Sequence, residues 1–463
     1  MNAIIVSGLL GVIMMFSGIV LKNRSAITNL AAIGLLLLLI ANILGTYGIC
    51  TISINTHNML RFEKFGMFFN SIAFAATLLY VLLSGRDLER TGVNTGEYYA
   101  LIFFVLCGVS ILSSFNGLLM LFLGIEILSI PLYILTGADK RNLRSNEASL
   151  KYFLMGSFST GIMLMGITLI YGATGYFDLG HSPVVPSTGE QRATFLEVAG
   201  ILLLFASMCF KVSAAPFHFW TPDVYDGAPS VFTSFMATVV KASGFIAFVR
   251  LFDRHGNELG PGPTWSLLLG FVIIATLLVG NITAVFQQSV KRMLAYSSIA
   301  QAGFMLFALY GNNDLAKEGI LLYSVAYCLA TIGIFAILIR MNDYTFDGFN
   351  GLAKTQPVLA ITNTVFLLSL AGIPLTAGFF AKYYMLASAV KAGASLWLVI
   401  VAVIFAAVSV YYYFRVIQAM YFKDGDPATA PIGTGFKAML ILMAALIILF
   451  GIFPSMVLGA FYF

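Results

Sequence analysis

A chain of 463 residues that is 60% hydrophobic and only 10% charged, with a mean hydropathy of +0.94, lies outside the soluble class and reads as an all-α, polytopic membrane protein. A β-barrel is excluded, because barrel strands alternate apolar and polar residues whereas Leu35 to Ile40 and Ile201 to Phe205 are continuously apolar. The net charge of +5 is carried largely by short loops and gives no nucleic-acid signal, so the lipid bilayer is expected as a partner and nucleic acid is not.

The first apolar run, Ile4 to Leu21, is long enough to span. No charged residue precedes it and no small-residue cleavage site follows, so it reads as a retained helix. Further runs of spanning length lie near 27–49, 65–84, 97–114, 116–136, 148–173, 196–219, 230–252, 264–286, 293–310, 318–340, 357–389, 395–421 and 437–460, which makes fourteen helices. An even number returns both termini to one side. The loops then divide into a set holding thirteen Lys and Arg, among them Lys140, Lys291, Arg340 and Lys423, and a set holding seven. The richer set is assigned to the cytoplasm, which leaves both termini outside. The longest polar insert, Phe177 to Arg192, reads as a loop.

Two runs are interrupted. In Leu196 to Pro229, Lys211 follows a stretch of almost wholly apolar residues and precedes Ser213, Ala214, Ala215 and Pro216, where the proline removes a backbone donor. The run at 357–389 is the second. As one helix its 33 residues would be roughly 50 Å long against a hydrocarbon core of about 30 Å. It contains Ala371-Gly-Ile-Pro-Leu-Thr-Ala-Gly378 and then Lys382, so it reads as two half-helices. Matching interruptions in two halves point to an inverted-repeat architecture with sites near mid-depth. Helices 4–8 and 9–13 are the expected repeats, and five helices per unit is odd, so the second is inverted. The expected division is 1–96 for three N-terminal helices, 97–254 and 255–423 for the repeats, and 424–463 for helix 14.

Four ionisable residues fall inside lipid-length runs: Glu126, Lys211, Lys241 and Lys382. Such residues are expensive in a bilayer and mark functional sites. A lysine can switch between protonated and neutral when its surroundings change, which arginine cannot, so these four are candidate stations of a proton relay. Blander readings stand beside this one: a static Glu126–Lys211 ion pair, Lys241 held by a backbone carbonyl, and Lys382 snorkelling to the interface. Arg415 is read as snorkelling, Glu147 and Lys151 as an edge pair, His218 as packed, and Tyr411, Tyr412 and Tyr413 as interfacial tyrosines. The four cysteines and four histidines are scattered without ligand spacing, so no metal or cofactor site is expected in the chain.

The stretch KVSAAPFHFWTPDVYDGAPS (Lys211 to Ser230) resembles the most specific motif of the antiporter-like subunits of respiratory complex I and of multisubunit cation/proton antiporters. KRMLAYSSIAQAGF (Lys291 to Phe304), GIPLTAGFFAKYY (Gly372 to Tyr384) and GIEILSIPLYIL around Glu126 are its companions, in the family's order. The resemblance implies that Glu126 pairs with Lys211, that Lys241 is the central relay lysine and that Lys382 is the exit-side lysine. It also implies a bacterial inner-membrane location with periplasmic termini. The expected partners are other membrane-arm subunits, a neighbouring antiporter-like subunit and small membrane subunits, with FMN, iron–sulfur clusters and quinone held in partner chains. A subunit of a Na+(cation)/proton antiporter is the alternative the same motifs allow. One departure is internal. SSIAQAGFMLFALYG carries no carboxylate placed like Glu126, so the two halves are not expected to work identically.

Overall fold

The computed structural model describes residues 1–21, 23–52, 54–85, 87–88, 94–179, 195–255 and 263–459. Its helices are α1 (Asn2–Val20), α2 (Arg24–Thr46), α3 (Lys64–Ser84), α4 (Thr95–Leu112), α5 (Leu118–Thr136), α6 (Leu143–Thr174), α7 (Phe195–Val212), α8 (Trp220–Gly227), α9 (Ser230–Phe235) and α10 (Lys241–His255). They continue as α11 (Pro263–Val285), α12 (Val290–Met305), α13 (Phe307–Gly311), α14 (Asp314–Arg340), α15 (Leu352–Thr355), α16 (Pro357–Ala371), α17 (Ala377–Lys391), α18 (Leu396–Phe422), α19 (Thr434–Ile452) and α20 (Ser455–Gly459). Among the described residues, thirteen helical stretches are long and apolar enough to cross a membrane, counting 230–253 and 290–311 as single spans. The discontinuous pair α16 and α17 makes the fourteenth crossing. Most of the insert at Phe177 to Arg192, and Lys22, Arg86 and Arg90, lie outside the described residues.

Helix starts follow their sequence signals. Asn23, Asn94, Asn142 and Asn313 each cap a helix by accepting a backbone N–H from the first turn, and Ser289 does so for α12. Pro357 opens α16, where its missing N–H costs nothing. The repeat is visible in the packing. In the first half α4 packs on α5 while α6 packs on both α7 and α8; in the second, α11 packs on α12 while α14 packs on both α16 and α17. Each broken helix therefore rests both its pieces on the preceding long helix. The N-terminal helices lie against this frame through α1 on α4 and α3 on α14.

The loops segregate onto two faces, as the count of crossings requires. On one, Arg250 donates to Glu63 at 3.1 Å and to the carbonyls of Phe115 and Arg61, while Lys317 meets Asp253 at 2.9 Å. On the other, the loop residues pair at Ser289–Thr345 and Met341–Thr429, and Arg340 meets the buried Asp87 at 3.0 Å.

Candidate functional site

The two breaks are built alike in backbone and differently in their caps. Each contains a non-glycine residue in the left-handed region, Ser213 at φ 64° and Leu375 at φ 72°, a conformation that sits at functional sites more often than elsewhere. At the second break α16 ends in a glycine turn: Gly372, at φ 83°, donates to Leu368 and Ser369, and Ile373 donates to Leu368. That arrangement leaves the carbonyls of Leu370 and Ala371 without backbone partners. Lys382 Nζ donates to both at 2.9 Å, with the Phe304 ring 4.6 Å away. Only glycine fits at 372, because a Cβ there would meet Lys382 Cδ at 2.9 Å in a backbone conformation that side chains avoid. Lys382 is 7% exposed and turned inward, so it does not snorkel.

Lys211 lies in the last turn of α7, where a cation suits the helix dipole. Its Nζ donates to Ser129 Oγ at 2.9 Å, one turn beyond Glu126 on α5. Glu126 stands within electrostatic reach of Lys211 but makes no contact inside 4 Å, so in this state lysine and acid are neighbours across a helix face and not an ion pair. Lys241 opens α10 directly after a π-helical turn at Met236–Val240, a local widening that recurs at functional sites. Lys241 is 2% exposed, and its Nζ donates to Ser298 O at 2.8 Å and Ser298 Oγ at 3.0 Å, with the Tyr225 ring 5.9 Å away.

Sequence reasoning missed the polar groups of α12 and its neighbours: Ser298 accepts from Lys241, and Gln301, one turn further along α12, shares an acceptor with Lys382. Ser297 Oγ and Tyr413 Oη are 2.5 Å apart; Gln301 Nε2 donates to Tyr413 Oη at 3.1 Å and to Leu370 O at 2.9 Å; the Tyr323 hydroxyl donates to Gln301 Oε1. Leu370 O is also an acceptor of Lys382, so polar groups of α12 join the surroundings of both lysines. Among the hydrogen bonds of the described residues none joins Lys211 to Lys241, and Lys241 meets the Gln301 group only through α12 itself, where its acceptor Ser298 lies one turn before Gln301. A cavity of about 10 Å³, the size of one water, lies between Gln301, Tyr323, Ser369 and Lys382.

Three surface assignments change. Tyr412 and Tyr413 are 0% and 1% exposed and hydrogen-bonded to Asn281 and to the α12 groups, so only Tyr411 faces outward; α18 turns this part of its circumference onto α11 and α12. Arg415 donates to the carbonyls of Val285 and Gln287, capping α11, with Phe346 beneath it at 4.1 Å, instead of reaching for lipid headgroups. Lys291, counted with the loop charges, is 5% exposed and donates to Asp226 O at 2.8 Å and Ala228 O at 2.6 Å, capping α8 as Lys382 caps α16. It lines an open vestibule of about 720 Å³ with Asp139, Asp226, Ser230 and Asp343. Asp343 lies in a loop there, and two hydrogen bonds from Thr345, backbone and hydroxyl, hold its carboxyl below the usual carboxylate range. Glu147 and Lys151 form the expected pair at 2.7 Å, and Lys151 also meets Asp223 at 3.1 Å. His218 is partly buried with an unpartnered Nδ1, and no cluster of three metal-ligating side chains occurs among the described residues.

Fourteen crossings, two discontinuous helices and lysines held in the membrane core by neutral oxygens define an antiporter-like membrane protein. Residues 116–409 match the family described as NADH:quinone oxidoreductase/Mrp antiporter, TM, and the chain belongs to that family. It is 40% identical to NADH-quinone oxidoreductase subunit N of Cytophaga hutchinsonii and 38% identical to that of Flavobacterium psychrophilum, each alignment covering 99% of both chains. Among solved structures it is similar to a chain of respiratory complex I from Thermus thermophilus with bound aureothin, with 32% identity, a TM-score of 0.84 and 99% of each chain covered. A chain of the Mrp complex from a Dietzia species shares the fold, with a TM-score of 0.82 at 17% identity.

Proposed function

We propose that the chain is a proton-translocating membrane-arm subunit of a bacterial NADH–quinone oxidoreductase, in which Lys211, Lys241 and Lys382 are proton stations and Glu126 tunes the first of them. Full-length relatives named as subunit N support the assignment to that complex, and the 17% likeness to an Mrp chain carries the fold alone. In this reading the chain is a multi-pass inner-membrane protein with both termini in the periplasm, and FMN, iron–sulfur clusters and quinone belong to partner subunits. Its neighbours are another antiporter-like subunit and the small membrane subunits. Residues 97–254 and 255–423 act as the two half-channels.

One observation carries the relay. Lys241 and Lys382 are each less than a tenth exposed, yet their acceptors are hydroxyl and carbonyl oxygens and never carboxylates. A proton can therefore leave either lysine without stranding a buried counter-charge, which a static ion pair would forbid. Lys211, held by Ser129, is free to exchange that hydroxyl for Glu126 when charge shifts nearby. The vestibule beside Lys291 opens on the face rich in basic loops and provides the wet mouth from which protons are taken up. Lys241→Ala in the assembled complex is expected to lower the number of protons moved per NADH oxidised, read as acidification of inverted vesicles. An unchanged ratio would remove Lys241 from the path.

A further inference from the structure

Resting on that relay reading, we propose that Gln301 is the gate between the two half-channels, an amide plug that keeps the Lys241 side and the Lys382 side from exchanging protons freely. The orientation of the amide is set by its surroundings. A backbone carbonyl only accepts, so the atom facing Leu370 O is Nε2, and Oε1 then faces the hydroxyl hydrogen of Tyr323. Both amide hydrogens are committed, one to Leu370 O and one to Tyr413 Oη. Tyr413, accepting from the amide, has its own hydrogen available for Ser297 Oγ.

Hydroxyls relay protons and amides do not. Tyr413 and Ser297 can each accept a proton on oxygen while releasing another. For a proton to pass Gln301, Oε1 would have to gain one while Nε2 lost one, giving the imidic acid. Oε1 accepts from Tyr323, and the nitrogen lone pair is delocalised and accepts nothing, so the amide cannot take up a proton and release another from one atom as a hydroxyl does. Gln301 is 2% exposed and Tyr323 3%, so bulk water does not reach either. The neighbouring cavity of about 10 Å³ has room for one water at most, on the Lys382 side. The same Leu370 carbonyl accepts from both Gln301 and Lys382. Movement of Lys382 therefore frees an acceptor that the amide alone then holds. This couples the plug to the state of the exit lysine.

The test is passive proton permeability of the purified complex in liposomes, driven by a potassium diffusion potential with no NADH present. Gln301→Glu replaces the plug with a carboxyl that accepts on one oxygen and releases from the other. A several-fold rise in leak and a lower proton yield per NADH are expected. Tyr323→Phe unpins the amide without burying a new charge, and a smaller rise is expected. It decides the matter should the Gln301→Glu complex not assemble. Leak equal to that of the natural chain in the assembled variants overturns the gate. Lys241→Ala keeps the two readings separable: lost pumping there with no leak in the Gln301 and Tyr323 variants leaves the relay standing without its gate, and retained pumping there sinks the relay itself.

Discussion

The two breaks solve the same problem with different groups. α7 ends at Val212, and its Phe210 carbonyl accepts both the Ser213 N–H at 3.1 Å and the Trp220 indole at 3.0 Å, while the chain beyond it is tied to Thr276 through the Ala215 N–H. Lys211 has no capping duty and reaches across to α5. At the second break the leftover carbonyls of α16 are capped by Lys382 itself. A neutral lysine still has two N–H bonds for those two carbonyls, so proton loss does not uncap the helix. It removes the attraction between a cation and the negative end of a half-helix, worth about 0.3–2 kcal/mol. Protonation is thus tied to a carboxylate neighbour in the first half and to the geometry of the break in the second, which the absence of a second Glu126 already foreshadows.

Deleting each lysine is the most direct way to break this contrast. Lys382→Met leaves Ala371 O with no donor and Leu370 O with Gln301 alone, a loss of about 1–3 kcal/mol per orphaned group. Lys211→Met leaves Ser129 donating to Ile125 O at 2.5 Å, so the helix end keeps its caps and the cost stays under roughly 1 kcal/mol. Denaturant titration of the two assembled variants in detergent should rank Lys382→Met clearly lower. Equal losses would mean that Lys382 is no cap.

Backbone substitutions sharpen the same comparison at smaller scale. Gly372→Ala forces a side chain into the left-handed region and against Lys382 Cδ, which costs roughly 1–2 kcal/mol from the backbone alone. Ser213→Gly relieves the corresponding strain at φ 64° and loses no hydrogen bond, since Ser213 Oγ has no partner. Glycine's extra freedom in the unfolded chain returns about 0.5–1 kcal/mol of that gain, so the result should be neutral to slightly stabilising. The same titration checks both.

The breaks, the lysines and the number of crossings were legible in the sequence because each is a local signal: a charge or a Gly–Pro cluster inside an apolar run. What was not legible depends on register between helices. Gln301 stands inside a motif noticed for other reasons, but its hydrogen bonds to Leu370, Tyr413 and Tyr323 come from three other helices. Tyr413 looks interfacial to any rule that counts aromatics near a span's end, and Lys291 looks like a loop charge to any rule that counts basic residues. The Glu126–Lys211 pair is what the family resemblance implies, and the one-turn offset that gives Lys211 to Ser129 cannot be read from either helix alone.

The mildest change concerns the acceptors. Ser129→Ala takes from Lys211 the hydroxyl it holds, a hydrogen bond worth about 1 kcal/mol net, and leaves it the electrostatic attraction of Glu126. Ser298→Ala takes from Lys241 one acceptor of two, because the backbone oxygen at 2.8 Å remains. Since about 1.4 kcal/mol is tenfold in rate, Ser129→Ala should slow coupled proton transfer by up to about tenfold while Ser298→Ala stays within roughly twofold, both measured as initial acidification rates at matched NADH oxidation. The reverse order would mean that the Ser298 hydroxyl carries the proton away from Lys241, since the carbonyl can hold a charged lysine but cannot pass its proton on. The half-channels would then meet through an obligatory hydroxyl on α12, beside the amide of Gln301.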